Sequence, residues 1–217
     1  MKNKAKIAVL VSGGGTNLQA LIDAQQSRII NSGRIALVVS NNSSAYALTR
    51  AVNAGIPTAV VLKKECADQA EFENRILKLL EENKIDMIVL AGFMSILSAD
   101  FVSHYPERII NVHPSLIPSF CGEGFYGLKV HEQALARGVK VTGATAHFVN
   151  EVCDGGPIII QKAVKIQNGD TPEILQKRVM EQAEWKILPK AVSLFCEDKI
   201  KVNGNVTVIA ELFGGKQ

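Results

Sequence analysis

The sequence predicts an α/β fold, one domain built as a doubly wound, mostly parallel, twisted sheet with helices on both faces. Short aliphatic runs recur without polar alternation, as strands buried on both faces require. Segments with apolar residues at helical spacing separate them, and strand–helix alternation of this kind gives parallel strands joined by right-handed crossovers. A length of 217 residues fills one such domain and is short for two.

In chain order, the predicted strands are KIAVLVS (6–12), IALVVS (35–40), TAVVL (58–62), DMIVLAG (86–92) and RIINVH (108–113). Between them TNLQALIDAQQ, SSAYALTRAVNAG, DQAEFENRILKLLEENK and LSADFVSHYP read as helices. In the third, Phe72, Ile76, Leu79 and Leu80 share one stripe. Gly55 stands where a helix C-cap belongs. Residues 115–130 are rich in turn formers and read as an outward loop. VTGATAHFV (141–149) and PIIIQKAVKI (157–166) read as adjacent strands. Thr171 as N-cap and Pro172 at the first position then open one long helix, with Ile174, Leu175, Val179, Ile187, Leu188, Ala191, Val192 and Phe195 on its buried side and a kink at Pro189. Alternating apolar residues around Asn203–Asn205 predict a closing hairpin over about 200–212.

Composition excludes several classes. Lys plus Arg, 24, nearly balances Asp plus Glu, 21, so a nucleic-acid partner is not expected. No apolar run approaches the roughly 18 residues of a membrane span, and Ile7–Val11 runs straight into glycines, unlike a signal peptide. The four cysteines (66, 121, 153, 196) have no C-x-x-C spacing and read as reduced packing thiols of a cytoplasmic protein. The four histidines lack metal-ligand spacing, so no metal is expected.

The glycine loop SGGGTNLQ (12–19) follows the first strand and opens the first helix. Glycines allow close backbone approach, and a helix N-terminus offers free N–H groups and the positive end of its dipole. The dinucleotide fingerprint fails: Gly13 and Gly15 fit G-x-G, but Leu18 replaces the third glycine, and VVSNN ends the second strand with no acid for a ribose diol. A single phosphate monoester on Gly14, Gly15, Thr16 and Asn17 is the expected ligand; a tight turn with no ligand is the alternative.

IINVHPSLIPSF (109–120) begins as a buried strand and is stopped by Pro114 and Pro118. Asn111 and His113 point the same way, about 6.6 Å apart at about 3.3 Å per residue. Strand carboxyl ends line the ligand crevice of open α/β sheets, so both face the side of the glycine loop. An amide donor beside an imidazole fits an oxyanion site with a proton carrier. Asp154, in the glycine turn CDGGP, is a candidate to raise the pKa of His113 and fix its tautomer. The structural alternatives are a capped turn at Asn111, a core histidine at His113 and a plain turn former at Asp154.

NVHPSLIPSF, AGFMSIL (91–97), HFVNEVCDGGPIIIQ (147–161) and SGGGTNLQALI together resemble the phosphoribosylglycinamide formyltransferases, folate-dependent enzymes of purine synthesis with a Rossmann-like fold. The similarity runs from about residue 6 to 200. The resemblance implies that Asn111, His113 and Asp154 are the catalytic trio. It implies that Gly14–Asn17 and Glu184 bind phosphoribosylglycinamide. Met94, Ser95, Ile96 and Leu97, with Asn111 and Gln69, would bind the co-substrate 10-formyltetrahydrofolate. It further implies a phosphate-binding half over about 1–105, a folate and catalytic half over about 86–200, and small-molecule substrates handled by a monomer or homodimer. Relatives often carry Arg where Ser95 stands and another Arg near Gln69; this chain has neither.

Rival readings remain at the level of sequence. A 10-formyltetrahydrofolate hydrolase needs no phosphate loop. A non-catalytic nucleotide-binding module has no use for the trio. A nicotinamide oxidoreductase lacks its third glycine and ribose carboxylate.

Overall fold

The structure, a computed structural model, describes residues 4–210. Nine strands in the described residues form one sheet: β1 (Ala5–Val11), β2 (Gly33–Ser40), β3 (Thr58–Val60), β4 (Met87–Leu90), β5 (Ile109–His113), β6 (Val141–Phe148), β7 (Ile158–Lys165), β8 (Ile200–Asn203) and β9 (Val206–Ile209). Their order is β3-β2-β1-β4-β5-β6-β7-β9-β8. The first five are mutually parallel, whereas β6 runs antiparallel to both β5 and β7. The doubly wound, mostly parallel sheet expected from the aliphatic runs is therefore present.

The helices are α1 (Thr16–Gln26), α2 (Tyr46–Asn53), α3 (Gln69–Glu82), α4 (Ala99–Ser103), α5 (Leu128–Arg137), α6 (Pro172–Val179) and α7 (Trp185–Cys196). They cover both faces. On one, Leu18 and Leu21 of α1, Leu175 of α6 and Leu188 and Val192 of α7 pack on Val9, Val89 and Ile110. On the other, Phe72, Ile76 and Leu80 of α3 and Phe101 of α4 pack on Leu10, Ile88 and Ile109. Each such side chain contributes about 1.5–3 kcal/mol by leaving water. Burial on both faces is the physical reason that β1 and β4 carry almost no polar residue and that β5 carries them only toward its carboxyl end.

Chain order places the site. Between β1 and β4 the sheet order reverses, and a crevice opens beyond the strand ends at such a switch point. The carboxyl ends of β1, β4 and β5 lead respectively into the glycine loop, the 91–98 segment and Pro114.

Three expectations need correction. The long helix is two α-helices joined by a π-helical turn, Met180–Glu184; α7 runs through Pro189 without ending, so the irregularity precedes the proline. Ile174 is half exposed and not on the buried stripe, because it lies in the first turn, where Thr171 caps the helix through the N–H of Ile174. The loop read over 115–130 ends early, because α5 begins at Leu128 and buries Val130, His131 and Ala134. The β8–β9 hairpin turns at Gly204 with φ 60°. Residues 211 and 212 of its expected span lie outside the described residues.

Candidate active site

Gly15 is the N-cap of α1 and sits at φ 71°, a conformation that L side chains rarely adopt. A Cβ there would stand 2.6 Å from that of Ala47. The carbonyl of Gly13 accepts from the Ala47 N–H (3.0 Å), and that of Gly14 from Arg50 Nε (2.9 Å). The loop carbonyls are thus turned toward α2. A Cβ on Gly13 or Gly14 would meet nothing within 4 Å, so the loop faces open space. The first N–H groups of α1 lack helical partners there, as at any helix start.

Asn17 leaves α1 toward the π turn, where its Nδ2 donates to Glu184 Oε2 at 2.8 Å. Glu184 is buried, and burial pushes its pKa up to about 7, against the Asn17 hydrogen bond. Asn17 Oδ1 is buried without a partner among the described residues. Asn17 and Glu184 both line a cavity of about 560 Å³. Gly14 and Gly15 are not among its walls, and Thr16 lines a separate groove between α1 and α7.

At the end of β5, Asn111 and His113 point into this cavity. The antiparallel register sets His147 of β6 directly opposite Asn111, and Asn111 Nδ2 lies 3.3 Å from His147 Nε2. Asp154 follows in the glycine turn after β6, at φ 54°. One of its oxygens lies 3.4 Å from His113 Nδ1, the other 3.6 Å from His147 Nε2. The Gly122 N–H donates to Oδ2 at 2.9 Å. All three residues of the expected trio therefore converge, with His147 as a fourth member.

The hydrogen bonds fix proton positions. His147 Nδ1 faces the Phe148 carbonyl at 2.8 Å and must donate to it, which leaves the Nε2 lone pair to accept from Asn111 Nδ2. His113 Nε2 donates to the Phe120 carbonyl at 2.8 Å, so both its nitrogens face acceptors. Burial nonetheless holds its pKa below the ordinary value, against the Asp154 charge and the Phe120 carbonyl. For Asp154, burial works to raise the pKa, but the His147 hydrogen bond, the His113 charge and the Gly122 N–H outweigh it and hold the carboxyl low. The site thus sets an ionised carboxylate against a buried imidazole, His113, whose protonation burial opposes and the carboxylate favours.

Met94, Ser95, Ile96 and Leu97 form an apolar wall of the same cavity, with Met94 55% and Ile96 67% exposed at its mouth. Large apolar side chains left open to water in a concave site suit a ligand with an apolar face. Gln69 is not part of that wall. Its amide is held by Glu73 Oε1 (2.7 Å) and the Ile96 carbonyl (3.1 Å), which keeps it behind the wall.

Two cavity histidines escaped the sequence reading. His147 lies among apolar neighbours on a buried strand and reads as core. His131 of α5 is fully buried with neither ring nitrogen partnered, and burial, then the His113 charge, push its pKa down to about 4. Among the described residues no cluster of His, Cys, Asp or Glu could hold a metal, and no helix is long and apolar enough to cross a membrane.

The formyl transferase family is matched over residues 5–192. The phosphoribosylglycinamide formyltransferase of Haemophilus influenzae is 41% identical over 94% of this chain and 93% of its own length. The human trifunctional purine biosynthetic protein adenosine-3 is 45% identical over 97% of this chain, which spans only 20% of that protein. Among solved structures, glycinamide ribonucleotide transformylase 1 of Symbiobacterium toebii superposes with a TM-score of 0.90 at 38% identity, covering 96% of this chain and 95% of that one.

Proposed function

This chain belongs to the formyl transferase family, and we propose that it transfers the formyl group of 10-formyltetrahydrofolate to the amine of N1-(5-phosphoribosyl)glycinamide. The products are the N-formyl compound and tetrahydrofolate, a step of de novo purine synthesis. One observation carries the reading. A single cavity is lined by Asn17 and Glu184, by the 94–97 wall, and by Asn111, His113, His147 and Asp154.

The geometry supports the following roles. The substrate phosphate sits on the open side of the Gly14–Asn17 turn, and Glu184 contacts the same substrate. The folate ring lies against Met94–Leu97, with its formyl carbon facing Asn111 and His113. The neutral amine attacks that carbon, and the C–N bond to the folate breaks once the tetrahedral oxyanion collapses. Asn111 Nδ2 stabilises the oxyanion, joined by His113 when its Nε2–H turns from the Phe120 carbonyl to the substrate, and each such donor is worth about 2.7–4 kcal/mol of barrier. The proton lost by the amine passes through His113 to the departing folate nitrogen. Asp154 and His147 orient His113 and share that proton. No covalent enzyme intermediate and no metal enter this scheme. The enzyme works in the cytoplasm as a monomer or homodimer on its two small-molecule substrates.

The test is formyl release from 10-formyltetrahydrofolate with and without phosphoribosylglycinamide. Release that depends on the amine is the expected result. Release without it would make the protein a hydrolase, and none in either case a binding module.

A further inference from the structure

The cavity wall Met94–Leu97 is an irregular segment between β4 and α4, and such a segment keeps its shape only through outside anchors. Met94 N–H donates to Ser12 Oγ at 2.8 Å, and Asn41 Nδ2 donates to Ser95 Oγ at 2.9 Å. The remaining anchors come from α3. Gln69 Nε2 donates to the Ile96 carbonyl at 3.1 Å and to Glu73 Oε1 at 2.7 Å. Ser98, which follows the wall, donates its N–H to Glu73 Oε1 at 2.7 Å and its hydroxyl to Glu73 Oε2. That hydroxyl in turn accepts the Phe101 N–H and so caps α4.

Glu73 is 4% exposed and adjoins the apolar stripe of Phe72, Ile76 and Leu80. A carboxylate buried there is expensive unless its lone pairs are filled. Among the described residues it forms no ion pair; three neutral donors satisfy it instead, two from Ser98 and one from Gln69. An apolar residue would serve helix packing better, and capping α4 needs only Ser98. What the carboxylate adds is a rigid link from α3 to the end of the wall, with Gln69 extending the link to its middle.

We propose that Glu73, acting through Ser98 and Gln69, is a positioning residue for 10-formyltetrahydrofolate. It holds Met94–Leu97 in the shape that receives the folate ring without touching the cavity itself. The inference rests on the function proposed above, and two measurements keep the two separable: steady-state transfer, and calorimetric binding of the stable analogue 5-formyltetrahydrofolate.

Glu73→Gln preserves size but turns an amide toward donors. Leaving such buried groups unpaired is expected to raise KM for 10-formyltetrahydrofolate about tenfold. The Kd of the analogue should rise in parallel, while kcat and KM for phosphoribosylglycinamide stay within about twofold. Gln69→Ala, at a half-buried position in the first turn of α3, removes the link to Ile96 and one of the three donors to Glu73, and leaves both Ser98 donors in place. It is expected to raise the folate KM about threefold, and it carries the test if Glu73→Gln does not fold. A purely structural role would lower Tm without separating the two KM values. An unchanged folate KM and analogue Kd in both variants, or equal rises in both KM values, overturns the proposal. If the unsubstituted protein binds the analogue but transfers nothing, the functional reading fails, and the Kd ratio still decides the positioning role. If it binds no analogue, both fail.

Discussion

The backbone N–H of Gly122 donates to the Asp154 carboxylate over 2.9 Å, so the segment covering the cavity is fastened to the group that faces both histidines. Asp154→Asn keeps the shape of this side chain and removes its charge. Without it, protonated His113 loses its counter-ion, and kcat is expected to fall by about 10²–10⁴, with much smaller changes in either KM. Asp154→Ala also frees the Gly122 N–H. Amide hydrogen exchange over 122–127 should then be faster than in the parent protein. A kcat within about tenfold of the parent in both variants would remove Asp154 from the proton path.

His113→Ala is expected to lower kcat by about 100–1000-fold, the usual consequence of losing a donor to a developing oxyanion. His147→Ala should also lower it, because Asn111 Nδ2 loses its neighbour at 3.3 Å and Asp154 loses one of its two imidazoles. Both histidines face one carboxylate, so the double variant should fall by less than the product of the single effects. Single-turnover rates for the four proteins form the cycle, and strict multiplicativity would show that the two act independently.

The strands were legible because burial on both faces leaves uninterrupted aliphatic runs, as in Ile7–Val11 and Met87–Leu90. Asn111 and His113 were legible because an alternation of period two at a strand end puts both on one side. Their meeting with Asp154 was not. It depends on the β5–β6 register, which pairs Asn111 with His147 and His113 with Thr145. That register is a pairing between distant segments that no local pattern encodes. The same register hid His147. The start of α5 carries no capping Ser, Thr, Asp or Asn; Gly127 at φ 55° stands at its N-cap, so His131 fell in the unassigned stretch beyond the loop. The π turn was invisible because helical periodicity continues on both sides of it.

Glu184 makes stability depend on pH in a direction that can be stated. Its carboxyl keeps its proton to about pH 7 in the folded protein, against an ordinary value of 4.5. Between those values the folded state binds more protons than the unfolded chain, so stability falls as pH rises. The contribution is complete below pH 4.5 and lost as pH passes 7. Glu184→Gln has no such titration and still accepts from Asn17. The variant should therefore gain on the parent by on the order of 2–3 kcal/mol between about pH 5 and 8.5 in denaturant unfolding. A stability difference that does not change with pH would mean that the carboxyl is ionised throughout.

The two glycines of the phosphate turn should separate folding from binding. At Gly15, φ 71° and a Cβ position 2.6 Å from that of Ala47 mean that alanine strains the backbone and pushes on α2. Gly15→Ala is expected to cost about 1–3 kcal/mol of stability. At Gly14 an added Cβ meets nothing within 4 Å, so Gly14→Ala should change stability by less than about 0.5 kcal/mol. The same methyl would occupy the space over the turn that the proposed pose gives to the substrate phosphate. The expected signature of Gly14→Ala is thus a KM for phosphoribosylglycinamide raised about tenfold, with Tm and the folate KM unchanged. An unchanged KM for the amine substrate would show that its phosphate does not sit on this turn, since a ligand that touched the open side of Gly14 could not ignore the added carbon.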